Sequence, residues 1–425
     1  MKSRMPSLKC EVPPRKDLTM FKIIAAVLIT LYFAFQLFLS ILKYKNRNAP
    51  IPEEVADVYE KDTYLKWKQY SAEKIRIDII SSCVEYVLVM VLLLTNLFAI
   101  LTRSIDNPYV SAIVILSIYL LATAITGIPT SYIDTIKIEG KYGFNKSSIK
   151  TFVVDQIKYL VLSFALTIGL TCAFIAIHQG IGDYTLLLFT ALVFAFMLFI
   201  NFLYPFLSKF FNKFTPLEEG ELRASLTAML EKYGYHVRDI KVMDASRRTT
   251  KSNAYFTGFG KSKTIVLYDN LIKVLSTRQI TAVFAHEMGH GLHKDVFVNT
   301  LRSFFSIALF VVLGWLLVKF PQIHADFGFE NISYGLAVIL LIHAVLPIVS
   351  TFIGLLSSFL SRKAEYRADE QAVIEGYGEE LIEALKILAR ENFADLNPPT
   401  LVVKLSYSHP TLVQRIRHIK EKEAN

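Results

Sequence analysis

Long apolar runs alternate along the chain with short loops rich in Lys and Arg, and this alternation predicts the architecture. Seven runs, roughly 20–42, 79–102, 109–128, 152–178, 184–207, 302–320 and 333–360, qualify as spans, since crossing a bilayer takes about 20 apolar residues per helix. The first run follows a basic stretch. It is too long for the apolar core of a cleavable signal, so it predicts a retained helix. An odd number of crossings puts the two termini on opposite sides of the membrane.

One long polar insertion, residues 208–301, interrupts this pattern. Within it, "PLEEGELRASLTAMLEKYG" repeats apolar residues at helical spacing and stops at Gly234, which predicts an amphipathic helix. "HVRDIKVM", "NAYFTGF" and "KTIVLY" are short, β-rich and broken by polar residues or Gly, which predicts strands. Ser276 to Gln279 has the form of a capping box opening a helix through "QITAVFAHEMGHGL", with Gly291 as its stop. A further helical stretch, 378–395, and a tail follow the last span. The expected division is therefore 1–207 with five membrane helices, 208–301 as a polar segment, 302–360 with two more membrane helices, and 361–425 as a polar tail.

Composition agrees. The 425 residues are 53% hydrophobic, with a mean hydropathy of +0.40, far more apolar than a soluble domain. The net charge of +9 sits mostly in the loops between apolar runs, which makes it a topology signal and argues against a nucleic-acid partner. The loops 43–78 and 129–151 are rich in Lys and Arg, whereas those near 103–108, 179–183 and 321–332 hold only Arg103. Basic loops stay in the cytoplasm. The segment 208–301 and the C-terminus are accordingly expected to be cytoplasmic and the N-terminus non-cytoplasmic, although the first residues are themselves basic. Cys10, Cys83 and Cys172 are scattered and form neither a disulfide framework nor a thiolate metal site.

The chemistry lies in "HEMGH". His286 and His290, four apart on a helix, project from one face and can reach one ion. Imidazole suits Zn²⁺, which at catalytic centres takes three protein ligands and leaves a fourth position open. Glu287, beside the first histidine, is placed to act as general base on the attacking water. His293 is turned away from this pair. The best candidate for the third ligand is Glu365 in "LSRKAEYRADEQA", with Asp369 one turn on to accept a hydrogen bond from a ligand histidine. The same spacing also suits a charged helix end with Arg362 and Arg367 as local partners.

Together, "HEMGH" (286–290), "SRKAEYRAD" (361–369), "NAYFTGFG" (253–260), "HPTLVQR" (409–415) and "IEGKYGFNKSS" (138–148) resemble the CAAX prenyl protease family of Ste24 type, membrane zinc metalloproteases of the gluzincin group. The resemblance is dense in the C-terminal half and thin in the N-terminal half. It implies a mainly α fold: seven transmembrane helices around an intramembrane chamber, and a cytoplasmic gluzincin-like α+β protease domain. It further implies one Zn²⁺ per chain held by His286, His290 and Glu365, with Asp369 as hydrogen-bonding partner of the ligands. Asn253, Ala254, Tyr255 and Phe256 would be an edge strand that binds an extended substrate, Tyr255 and Phe256 being equally suited to ordinary strand packing. His409 would donate to the oxyanion, and Arg415 would anchor the Glu365/Asp369 helix or bind substrate. Where the family often carries a pair of glutamates before "GFNK", this chain has only Glu139, so a role for a second carboxylate does not carry over.

The expected protein is thus a monomeric, membrane-embedded zinc metalloendopeptidase of a bacterial plasma membrane or an endoplasmic reticulum. Its substrate would be a protein or peptide, on the family's pattern a prenylated one losing its last three residues. The alternative keeps the site and turns it on misfolded or stalled membrane proteins. A non-catalytic seven-helix transporter or scaffold fits less well, because Glu287 is intact.

Overall fold

The computed structural model describes residues 19–247, 254–257 and 262–424. Asn253 and Cys10 lie outside the described residues. Helix α1 (Met20–Asn46) leads through a short turn into α2 (Lys61–Leu94). The expected run 79–102 is not one helix. It breaks after Leu94, where Asn96 adopts a left-handed backbone (φ 56°) before the short α3 (Leu97–Thr102). Asn tolerates that conformation better than most residues, and its side-chain oxygen accepts from the buried Lys22 ammonium of α1. Helix α4 (Pro108–Tyr132) continues as a π-helical segment, Ile133–Glu139. Then come α5 (Ile149–Ile181) and α6 (Thr185–Phe211), separated at Gly182, whose φ of 58° suits glycine.

The polar insertion follows: β1 (Phe214–Pro216), α7 (Glu221–Lys232), β2 (His236–Met243), β3 (Ala254–Thr257), β4 (Ser262–Tyr268), α8 (Asp269–Val274) and α9 (Thr277–Leu292). Its sheet has the order β1-β2-β4-β3, with β2 and β4 parallel and both outer pairs antiparallel. A left-handed Lys294 then turns the chain into α10 (Asp295–Lys319). After α11 (Pro321–Asp326), α12 (Tyr334–Leu340) passes through a π-helical segment, Leu341–Val345, into α13 (Leu346–Ile374). Helices α14 (Gly378–Glu391), α15 (Thr400–Ser406) and α16 (Leu412–Glu423) complete the chain. The expected stretch 378–395 is thus shorter than predicted, ending where Phe393 turns left-handed (φ 50°).

Among the described residues six helical stretches are long and apolar enough to cross a membrane: Met20–Asn46, Lys61–Leu94, Pro108–Glu139, Ile149–Leu203, Asp295–Lys319 and Tyr334–Ile374. The fourth, 55 residues long, contains α5 and the greater part of α6, with the Gly182 break between them. Many apolar side chains on these helices are exposed, among them Leu187, Val161 and Phe352, which a protein surface in water would not support. Successive helices α1, α2, α4, α5, α6, α10 and α12 pack against one another in turn, and the helix continuing from α12 returns to α1. An apolar cavity of about 330 Å³ opens between α5, α6, α10 and α12, lined by Phe174, Phe189, Val193, Phe310, Val311 and Tyr334 among others.

The two largest apolar cores among the described residues hold this arrangement. One joins α1, α2, α4, α11 and α12 through Ile29, Val89, Ile115, Leu116, Phe327 and Leu336. The other packs Leu230, Ile240, Ile265, Leu267, Ile280 and Met288 of the insertion against Ala372, Ile416 and Ile419 of the C-terminal helices. Val55, in the short turn before α2, and Trp67, near the start of α2, enter this second core. Phe144 packs edge-on against Phe393 nearby, so the loop 140–148 ties the membrane half to the C-terminal half. Here Glu139 accepts from the Tyr70 hydroxyl at 2.6 Å and pairs with Lys74 at 3.2 Å. The lone carboxylate has a structural partner.

Candidate metal centre and active site

Helix α9 begins with the capping box read from the sequence: the Ser276 hydroxyl accepts from Gln279 N, and the Gln279 side chain accepts from Ser276 N. Both close amide donors that a helix start would otherwise leave open. Ile280, Phe284, Ala285 and Met288 bury one face of the helix and set its rotation. His286 and His290 are consequently fixed toward α13. The helix runs one residue past Gly291, to Leu292.

Helix α13 carries the other half of the site. It continues from the membrane-crossing stretch without a break at residue 360, so the span itself delivers Glu365 and Asp369. The two helices approach closely because Gly289 has no side chain: a Cβ there would lie 2.7 Å from Ala368 Cα. Glu365 Oε2 is 3.6 Å from His286 Nε2, and Glu365 Oε1 is 3.4 Å from His290 Nε2. The ligand atoms of these three residues all lie within 4.8 Å of one another.

The donor set suits a small divalent cation. Ligand atoms about 2.1 Å from a tetrahedral Zn²⁺ are roughly 3.4 Å apart, close to the spacing here. Glu365 Oε2 is also buried without a hydrogen-bond partner; Arg415 Nη1, 3.6 Å away, offers it charge but no hydrogen bond, which leaves the oxygen a coordination position to fill. Burial lowers the His290 pKa, but hydrogen bonds to the Glu365 and Asp295 carboxylates outweigh it and raise the value to about 9.

Around this centre the side chains are held in turn. Asp369, fully buried, has Oδ1 2.9 Å from His286 Nδ1. Arg415, on α16, donates from Nε to Asp369 Oδ2 at 3.0 Å and from Nη2 to Oδ1. Arg415 Nη2 also lies 3.2 Å from His286 Nδ1. With Nε2 facing Glu365, Nδ1 carries the proton, so Asp369 is the acceptor for both groups. Burial pulls the Arg415 pKa down, and the charges of Asp369 and Glu365 more than compensate, leaving it above its ordinary value. Of the two tasks expected of Arg415, the contact observed is the one that anchors Asp369.

The remaining expected residues gather at the same place. His409 follows α15, with Nε2 3.2 Å from Glu365 Oε1 and its side chain largely exposed. Ala254, Tyr255 and Phe256 form β3, which pairs antiparallel with β4 at the edge of the sheet. Ala254 and Glu287 line the same small apolar cavity, together with Leu267, Ile280, Val283 and Phe284. His293 caps the end of α9 and is not part of the ligand cluster.

Three contacts were not foreseen. Asp295 Oδ2 lies 2.9 Å from His290 Nδ1. Arg367 donates to Asp295 Oδ1 at 3.0 Å and so does not act as a local partner on its own helix. Arg362 donates to the carbonyls of Val403 and Tyr407, at the end of α15. Asp295 could not be read from spacing. Five residues past His290 on a continuous helix it would face elsewhere, and only the left-handed Lys294 returns it to the ring.

A helical membrane fold that brings His-Glu-x-x-His against a glutamate on a second helix defines a membrane-embedded metallopeptidase. Residues 216–423 match peptidase family M48, and residues 40–213 match the CAAX prenyl protease N-terminal family, described as five membrane helices. The chain belongs to the CAAX prenyl protease 1 family of M48 metalloendopeptidases. It is 30% identical over 412 residues to a CAAX prenyl protease 1 homolog of Oryza sativa subsp. japonica, covering 93% of this chain and 96% of the relative. It is also 30% identical to CAAX prenyl protease 1 of Saccharomyces cerevisiae, covering 92% and 94%. Its fold superposes on the crystal structure of S. mikatae Ste24p with a TM-score of 0.87 at 26% identity, covering 95% of this chain and all of that one. It is a multi-pass membrane hydrolase acting on a protein or peptide substrate.

Proposed function

We propose that the chain is a zinc-dependent CAAX prenyl protease that removes the C-terminal tripeptide of prenylated proteins. The observation that carries the reading is the cluster of His286, His290 and the orphaned buried oxygen of Glu365, in a chain related along nearly its whole length to proteins named for that activity. Zn²⁺ held by these three side chains would supply Lewis-acid activation of the substrate carbonyl and of water at neutral pH.

The chain's own residues do the rest. Asp369 and Arg415 keep the His286 ring oriented with Nε2 toward the centre. The edge of β3 binds the substrate as an added strand by main-chain hydrogen bonds, which brings the scissile bond beside Glu287, on the wall it shares with Ala254. Asn253, immediately before this strand, would add a side-chain amide donor. Glu287 takes the proton of the attacking water and passes it to the leaving amine. His409 Nε2, beside Glu365 and open to solvent, donates to the developing oxyanion, an interaction worth a few kcal/mol in comparable sites.

The membrane half completes the reading. A single 55-residue helix would be about 80 Å long, against a hydrocarbon core of about 30 Å. The stretch 149–203 therefore crosses twice, giving seven crossings. The closed succession of helix contacts supports a chamber within them. The basic loops favour a cytoplasmic location for the catalytic segments and the C-terminus, with the N-terminus opposite. One chain carries the whole site, so the monomer suffices.

The test is cleavage of a farnesylated CAAX peptide by the purified protein in detergent, beside Glu287→Ala, with zinc content determined for both. Wild type should cleave, and the variant should hold zinc without cleaving. Zinc bound with the prenyl peptide left intact would move the substrate to unprenylated membrane proteins. Zinc absent from both would end the metallopeptidase mechanism.

A further inference from the structure

The two histidines of the site are held by matching sets of side chains drawn from different parts of the fold. His286 Nδ1 meets Asp369, which Arg415 grips. His290 Nδ1 meets Asp295 Oδ2 at 2.9 Å, and Arg367 donates to the other oxygen of that carboxylate at 3.0 Å. In each set one arginine donates to the carboxylate oxygen that the imidazole leaves free, and Arg415 also donates to the oxygen that meets His286. The first set is buried. The second lies nearer the surface, with Arg367 about half exposed.

Asp295 has an ordinary reason to sit where it does, since a carboxylate in the first turn of α10 is favoured by the helix dipole. That explains the charge and not the orientation. A residue serving only as a first-turn anion could point to water. Here the side chain turns back across the Lys294 bend onto the ring, and its second oxygen reaches a different helix, α13. One carboxylate thus joins the end of α9, the start of the membrane-crossing α10 and the Glu365-bearing helix.

We propose that Asp295 is a positioning residue for the metal centre. It accepts the Nδ1–H of His290, fixes the tautomer that leaves Nε2 free toward Glu365, and is itself held by Arg367. The proposal rests on the reading of His290 as a metal ligand. Hydrogen-bond partners of this kind tighten metal binding because they fix ring orientation and raise the basicity of the liganding nitrogen, and their loss costs 10- to 100-fold in affinity.

The experiment measures zinc dissociation constants of the full-length protein in detergent by competition with a chromophoric chelator. It compares wild type, Asp295→Ala, Asp295→Asn, Arg367→Met and His290→Ala. Absorption spectra of the cobalt-substituted proteins are recorded beside them. Asp295→Ala should weaken zinc by about 10- to 100-fold and shift the cobalt bands. Asp295→Asn keeps an acceptor but loses the charge, so it should fall between Asp295→Ala and wild type. Arg367→Met should produce a smaller weakening. The proposal is overturned if His290→Ala loses zinc while Asp295→Ala binds it within about twofold of wild type with unchanged cobalt bands. Wild-type affinity in His290→Ala would instead sink the metal-site reading itself. If Asp295→Ala fails to fold, as judged by its elution and thermal midpoint, Asp295→Asn and Arg367→Met decide, and unchanged affinity in both overturns the proposal.

Discussion

Gly289 and Ala368 meet where α9 crosses α13, so closely that a Cβ on the glycine would stand 2.7 Å from Ala368 Cα and 3.0 Å from Gln371 Cβ. The nearest atom belongs to the backbone and cannot swing aside. This contact sets the separation of the helix carrying His286 and His290 from the helix carrying Glu365.

Gly289→Ala is therefore expected to act on geometry more than on folding. Alanine favours a helix over glycine by about 1 kcal/mol, while overpacking costs about 1–3 kcal/mol, so the two partly cancel in stability. The separation of the helices does not recover. Displacement of a catalytic group by about 1 Å can cost 100-fold in rate. Peptidase assays beside thermal unfolding in detergent should show a loss of that order in kcat/KM with a modest change in midpoint. An active alanine variant would show that the crossing does not define the site.

Arg415 neutralises a carboxylate that has no access to water: Asp369 is fully buried. Removing one partner of a buried ion pair leaves an uncompensated charge and costs about 3–5 kcal/mol. Arg415→Met should lower the thermal midpoint sharply and weaken zinc binding through His286. Adding Asp369→Asn should recover much of the stability, because the stranded charge is gone, without recovering the metal affinity. Purely additive effects on stability would show that the two side chains do not act as a pair.

These residues differ in how far the sequence alone disclosed them. The His286–His290 spacing, the capped helix start and the apolar face of α9 are local patterns, and the structure reproduces them directly. The pairing of Glu365 with the histidines is not local. It depends on the glycine contact between α9 and α13 and on a membrane helix running unbroken into the site. Spacing made Glu365 the best candidate but left a charged helix end open, and the resemblance strengthened the ligand reading. Asp295 was hidden because a single left-handed residue, Lys294, reverses the direction that helical periodicity assigns. The alternative of Arg362 and Arg367 as local partners on their own helix is not what forms, since both reach other segments. In the membrane half, hydropathy located the apolar runs but missed the Asn96 break, since apolar residues on both sides of it read as one span.

Arg362 lies one turn before Glu365 and donates to Val403 O at 3.2 Å and Tyr407 O at 2.7 Å, closing the end of α15 just ahead of His409. If the exposed His409 serves the oxyanion, its placement depends on this arginine. His409→Ala should lower kcat by up to 100- to 1,000-fold. Arg362→Gln should lose part of that with little change in KM. In a His409→Ala background the Arg362→Gln substitution should have no further effect on kcat, and a full additional loss there would assign Arg362 to general stability.

Removal of the metal should be visible in the fold as well as in the rate. A ligand that binds only the folded state stabilises it by about 2.7 kcal/mol at 100 times its dissociation constant. The site joins α9, α13 and the His409 segment across separate parts of the chain. Dialysis against a chelator should abolish cleavage and lower the thermal midpoint, and added Zn²⁺ should restore both. Glu287→Gln keeps all three ligands, so it should show the same zinc-dependent shift while remaining inactive. Glu365→Gln lacks the anionic ligand, so its midpoint should respond weakly or not at all. A zinc response in Glu365→Gln equal to that of wild type would place the stabilising ion somewhere other than between α9 and α13.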